Sequence, residues 1–196
     1  EGRDPYINDS LCIPLFGRSI TKADKPLRDI TKAAVLAAQF GQGAKGFLSH
    51  CHRNGVEIDE KMAQRTIDVY RQSHPAVPAF WRQCGTAIRA MAGLRPAYQF
   101  GTNGCLLATK GWLTLPSGRR VEYRDIQQFH NKDTGFTEFV FYEKHRGVEK
   151  YIYPGRLAEN ITQAVAYDVV AYQSTLVEDE TGEHPILFTH DELVYL

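Results

Sequence analysis

Arg28-Asp-Ile-Thr-Lys32-Ala-Ala-Val-Leu36-Ala-Ala-Gln-Phe40-Gly41-Gln-Gly43 is the stretch whose reading decides this chain. It is rich in Ala, Leu and Gln and reads as a helix over about 27–40 that stops at a glycine pair. Arg28 and Lys32 fall one turn apart, so both cations share a face, and Leu36 and Phe40 continue the row. Two cations, then an apolar side chain, then an aromatic ring suit a ligand with phosphates at one end and a flat base at the other. A nucleoside triphosphate is such a ligand. The spacing alone fits a surface helix with two solvated cations and a buried Phe even better.

The chain has 196 residues, enough for one domain or two small ones with a real core. No apolar run is long enough to span a membrane, and no signal-peptide pattern opens the sequence. Cys12, Cys51, Cys84 and Cys105 show no CxxC spacing, which argues against a zinc site and a disulfide framework. Reduced thiols and a cytoplasmic location are therefore expected. The net charge is zero but unevenly spread. Residues 17–124 carry 17 Lys/Arg against 7 Asp/Glu, and residues 125–196 carry 5 against 13. A basic half suits a polyanion, and an acidic half can hold cations such as Mg²⁺. Two differently charged surfaces without such roles would look the same.

Pro5, Pro14, Gly17 and Pro26 punctuate residues 1–26, which read as irregular. Further helices are predicted over 59–73, with Asp59 as cap, and over 75–92 with Pro75 and Pro78 in the first turn. Residues 93–110 are glycine-broken and poor in pattern. Trp112 to Tyr123 reads as a strand, a Pro116-Ser-Gly118 turn and a returning strand. The alternating 136–142 run pairs with 149–153 across a charged turn at 144–147. A long helix follows over 157–177, and 185–188 and 193–195 bracket the polar turn Thr189-His190-Asp191-Glu192. The expected class is α+β: a mainly helical first part, then antiparallel sheet with a long helix across it.

Three further groups carry possible chemistry. Asp191 and Glu192 sit at the tip of the last hairpin, where carboxylate oxygens suit Mg²⁺, although polar residues are also what turns contain. Gly118-Arg119-Arg120 follows a turn and suits phosphate contacts or, equally, a solvated hairpin edge. Asn160 and Gln163 lie about one turn apart on the long helix, with Arg156 before them. Amides there can meet base edges in a minor groove or serve as ordinary surface polars.

In order along the chain, these signals resemble the family A DNA polymerases, the DNA polymerase I family, and most nearly their bacteriophage branch. Arg28-x3-Lys32-x7-Phe40-Gly41 is similar to that family's nucleotide-binding fingers helix. Leu115-Pro-Ser-Gly118-Arg119-Arg120-Val-Glu-Tyr123 is similar to its GRR segment. The run Tyr153-Pro-Gly-Arg156 to Asp168 resembles its palm helix with a DNA-contacting Gln. Thr189-His190-Asp191-Glu192 resembles the HDE of its second catalytic motif, and Gly2-Arg-Asp4-Pro5-Tyr6 resembles the segment that follows the first.

The resemblance implies template-directed addition of dNTPs to a primer 3′ end, with two Mg²⁺ ions clamping the attacking and leaving oxygens. Arg28 and Lys32 would bind the triphosphate, and Lys32 would also neutralise or protonate the departing pyrophosphate. Phe40 would lie near the templating base. Leu36 stands where many relatives carry a ring against the sugar, which puts sugar discrimination in question. Asp191 would be a metal ligand with Glu192 close behind. His190, Gln163, Arg156, Arg119 and Arg120 would contact primer–template DNA.

A motif of the type DYSQIE, which carries the family's other catalytic carboxylate, is absent. The resemblance therefore implies a fingers subdomain over 1–125 and a partial palm over 126–196, working with an upstream catalytic motif and thumb. Such a fragment is expected to bind dNTP weakly and not to polymerise alone. A non-catalytic nucleic-acid-binding module and one subunit of a split polymerase are the alternatives.

Overall fold

A computed structural model of the protein describes residues 4–132, 135–143, 147–189 and 192–195. The class is α+β: among the described residues there are six α-helices and nine short strands in antiparallel sheets, with a long helix after most of the strands. The chain forms two compact units, Glu1–Arg82 and Gln83–Leu196, and the division falls inside one helix.

The first unit is helical. Helix α1 spans Asp9–Phe16, α2 Lys25–Ala38, α3 Ala44–Arg53 and α4 Glu60–Ser73, and α5 begins at Ala76 and runs to Met91. Their shared core holds Leu11, Leu15, Ala33, Ala34, Ala37, Ala38, Phe47, Ile67 and Tyr70. The alanines on α2 matter here. Small side chains let the helices approach closely, and the larger Phe47 and Ile67 fill the space that results.

Residues 1–26 are not wholly irregular, contrary to the sequence expectation. Helix α1 forms despite Pro14. A proline at that position cannot donate to the carbonyl of Ser10. The Ser73 hydroxyl on α4 donates to that carbonyl instead, at 2.6 Å. Asn8 caps the start by accepting from the Ser10 amide at 2.9 Å. Gly17 closes the helix with φ of 73°, a left-handed conformation that favours glycine.

Helix α3 is also additional to the sequence reading. Its Phe47 and Cys51 are one turn apart and fully buried. A Cβ at Gly46 would come within 2.9 Å of the Gln42 side chain, so that side chain would have to shift to admit one. The α2 helix begins earlier and ends earlier than the pattern suggested, so Phe40 lies in the turn beyond it.

Asp59 caps α4 as expected, accepting from the Met62 amide at 2.6 Å. Asp59→Ala is expected to destabilise the first unit by about 1 kcal/mol. A urea midpoint unchanged from wild type would contradict that role.

Among its described residues the second unit carries three small antiparallel sheets. In the first, β1 (Tyr98–Phe100), β2 (Leu106–Thr109), β3 (Trp112–Thr114) and β4 (Arg120–Glu122) follow one another as a meander. The glycines of 93–110 obscured β1 and β2, which turn about Gly101 and Gly104. The second sheet orders β5 (Gln127–His130), β6 (Thr137–Glu143) and β7 (Val148–Ile152), with Phe139 opposite Ile152. Only β6 and β7 were expected. A T-shaped contact between the rings of Tyr123 and Phe141, 5.2 Å apart, links the two sheets.

Helix α6 spans Pro154–Thr181, longer than predicted at both ends. Its first two turns bury Leu157, Ala158 and Ile161, whereas Tyr167, Val169, Tyr172 and Leu176 are exposed. The last hairpin, β8 (Leu187–Thr189) and β9 (Glu192–Val194), pairs Thr189 with Glu192.

Candidate functional site

Two surfaces, one on each unit, collect several of the residues that the sequence singled out. On the first unit, α2 turns Ile30, Thr31, Ala33, Ala34, Ala37 and Ala38 inward. That burial directs Arg28, Lys32 and Leu36 outward as the single row anticipated from spacing. Lys32 is exposed, Leu36 is 45% exposed and Arg28 is half-buried. Phe40 is half-buried in the turn that follows.

That turn is held from two directions. The Trp81 indole donates to the Gln39 carbonyl at 3.0 Å, and the Arg71 guanidinium reaches the Gln42 carbonyl at 3.5 Å. Arg71 also lies over the Trp81 ring, 5.7 Å from its centroid.

Two residues near the chain start belong to this surface and were not assigned to it from sequence. The Asp4 carboxylate accepts from Arg28 Nε at 2.8 Å and from the Tyr6 amide at 3.0 Å. The Tyr6 ring lies beneath both cations, 5.4 Å from the Arg28 guanidinium and 5.8 Å from Lys32 Nζ. Thr31, fully buried on α2, donates to the Tyr6 carbonyl at 2.7 Å and anchors that segment. The sequence marked Asp4 and Tyr6 only through the resemblance of 2–6 to the segment after the first catalytic motif; Asp4 lies 24 residues before Arg28, and local spacing says nothing across that distance.

Arg28, and then the Tyr6 amide, hold the Asp4 carboxyl below the usual carboxylate range. A lowered folded-state pKa stabilises the fold above the ordinary carboxylate range, and the stabilisation is lost as pH falls through the lowered value. An NMR titration of the Asp4 carboxyl should therefore give a midpoint below that of an ordinary aspartate. Asp4 titrating in the ordinary range would contradict the pairing.

On the second unit, a cavity of about 670 Å³ opens between the β3–β4 hairpin, β6 and α6. Arg119, Arg120, Arg124, Asn160, Gln163 and Tyr167 line it. The structure thus brings together three residues assigned to DNA contact, Arg119, Arg120 and Gln163. Arg120 lies over the Trp112 ring at 4.4 Å from the centroid.

The Asn160 amide donates to the Tyr123 hydroxyl at 2.8 Å. Tyr123 is almost fully buried, and that burial pushes its hydroxyl pKa up. Arg156, also assigned to DNA, does not line the cavity; its guanidinium lies 3.9 Å from Glu159 on the same helix.

His190 and Asp191 lie outside the described residues. Glu192, at the start of β9, is exposed. A carboxylate oxygen is a hard donor of the kind Mg²⁺ takes, so this residue fits such an ion by its chemistry. Among the described residues no helix is long and apolar enough to cross a membrane.

The chain is similar to a protein named DNA polymerase from Bacillus phage SP02, at 31% identity over 183 residues. The match covers 90% of this chain, and the chain spans 28% of that relative's length. No family model and no solved structure matches the chain.

Proposed function

We propose that this chain is the nucleotide-presenting and duplex-contacting part of a family A DNA polymerase, with fingers over residues 1–125 and palm over 126–196. The observation that carries the proposal is the outward row on α2: two cations, then Leu36, then the turn bearing Phe40. Similarity to a phage protein named DNA polymerase along 90% of the chain supports it. So does the clustering of Arg119, Arg120 and Gln163 about one cavity.

In this reading Arg28 and Lys32 bind the triphosphate of an incoming dNTP. Asp4 occupies Nε of Arg28 and leaves the outer guanidinium nitrogens to meet phosphate oxygens. Lys32 offsets charge on the departing pyrophosphate and can donate a proton to it. Leu36 faces the sugar, and Phe40 lies near the templating base. Arg119, Arg120, Arg156, Gln163 and His190 contact the primer–template duplex.

Asp191 and Glu192 would hold Mg²⁺, whose chemistry when bound is Lewis-acid polarisation of the attacking and leaving oxygens. The remaining parts of such a polymerase, an upstream catalytic carboxylate motif and a thumb, would act with this chain.

Photo-crosslinking with an azido-dNTP tests the proposal. The labelled peptide is expected to contain residues of 28–40, and excess unlabelled dNTP should suppress labelling. Labelling elsewhere that an Arg28→Ala, Lys32→Ala pair leaves unchanged would refute it.

A further inference from the structure

We propose that Asp168 is a positioning residue that fixes Arg119 for contact with the phosphate backbone of a nucleic-acid duplex. The inference rests on the duplex-binding reading of the cavity and deepens it.

Arg119 is held from several sides. Its Nε donates to Asp168 Oδ1 at 2.5 Å, and Nη2 donates to the Ala164 carbonyl at 2.8 Å. The guanidinium also lies 5.5 Å from the centroid of the Tyr167 ring. The second oxygen of Asp168 accepts from the Ser117 hydroxyl at 2.6 Å, and Ser117 Oγ accepts from the Arg119 amide at 3.3 Å. The tip of the β3–β4 hairpin is thereby fastened to one face of α6.

The exposure of the two partners gives the arrangement a direction. The Asp168 side chain is 14% exposed and that of Arg119 is 42% exposed. The acid is the anchored end and the guanidinium is the presented end. Arg119 has used two of its five N–H donors, so three remain for an anion beside Gln163 on the cavity wall. A guanidinium already held in one orientation loses less conformational freedom on meeting a phosphate.

The proposal has a sign that simple electrostatics does not share. Removing a negative charge beside a polyanion site should tighten binding. Removing the group that orients Arg119 should weaken it.

The test uses the full 196-residue chain and a fluorescent primer–template duplex, titrated across a salt series. Asp168→Ala is expected to weaken binding by about fivefold or more. The slope of log affinity against log salt should fall by about one phosphate contact, as it should for Arg119→Ala. In an Arg119→Ala background, Asp168→Ala should add no further loss.

Tighter or unchanged binding by Asp168→Ala, or the same loss with Arg119 already removed, overturns the proposal. Should Asp168→Ala not fold, Ser117→Ala decides: a smaller loss that disappears with Arg119 removed supports the proposal, and no loss overturns it. A wild-type chain that does not bind the duplex would refute the duplex reading instead. The positioning would still be decided without DNA. The NMR signal of Arg119 Nε–H should be protected from exchange in wild type and lose that protection in Asp168→Ala, which removes the acceptor oxygen, and equal protection in both overturns it.

Discussion

Lys32→Ala is expected to slow primer extension by about a hundredfold or more, while duplex affinity changes little. Lys32 stands exposed on α2, one turn from Arg28 and above the Tyr6 ring. Nothing in the first unit's core depends on it, so its removal should leave the fold intact. The loss should fall on the step in which negative charge collects on the leaving pyrophosphate. Single-turnover kinetics in a full-length polymerase carrying this chain separates that step from binding. Equal losses in rate and DNA affinity would show that Lys32 serves general attraction to the polyanion.

Phe47→Ala is expected to cost about 3–5 kcal/mol, the range for truncating a fully buried aromatic side chain. Phe47 has no exposure and belongs to the same core cluster as Ala34, Ala37 and Ala38 of α2. Those alanines are too small to fill the space that its ring would vacate. Against a typical domain stability of about 5–15 kcal/mol, the variant retains only part of its margin. Urea unfolding should show a large drop in midpoint with an unchanged slope, and nucleotide cross-linking to α2 should fall in parallel. A cost below about 1 kcal/mol would mean that α3 does not support α2 as described.

Much of the helical content follows from local pattern. The amphipathic rows of α2 and α4, the Asp59 cap and Pro75 and Pro78 at the start of α5 are all local signals, and each helix forms about where they put it. Helix α1 escaped because Pro14 reads as punctuation, and the hydroxyl that rescues it belongs to Ser73, far along the chain. Helix α3 is short and contains Gly46, whose fit depends on Gln42. Strands β1, β2 and β5 are short and lack a flanking turn signal as plain as the Pro116-Ser-Gly118 that marked the equally short β3 and β4.

The candidate surfaces divide the same way. The row Arg28, Lys32, Leu36 was legible because helical spacing is a local property. The Asp4–Arg28 pair spans 24 residues and the Arg119–Asp168 pair 49. Both arise from tertiary packing. Arg119 and Gln163 each carried a plain polar alternative, and only the folded chain brings them to one cavity.

Single-nucleotide incorporation by a full-length protein carrying this chain tests the central claim most directly. The four dNTPs are offered separately opposite each template base, with Mg²⁺ present. Extension should occur with the complementary dNTP alone and should collapse in Lys32→Ala. Duplex binding that is unaffected by Mg²⁺ or dNTP, with no incorporation opposite any template base, would contradict the account and favour a non-catalytic nucleic-acid-binding module.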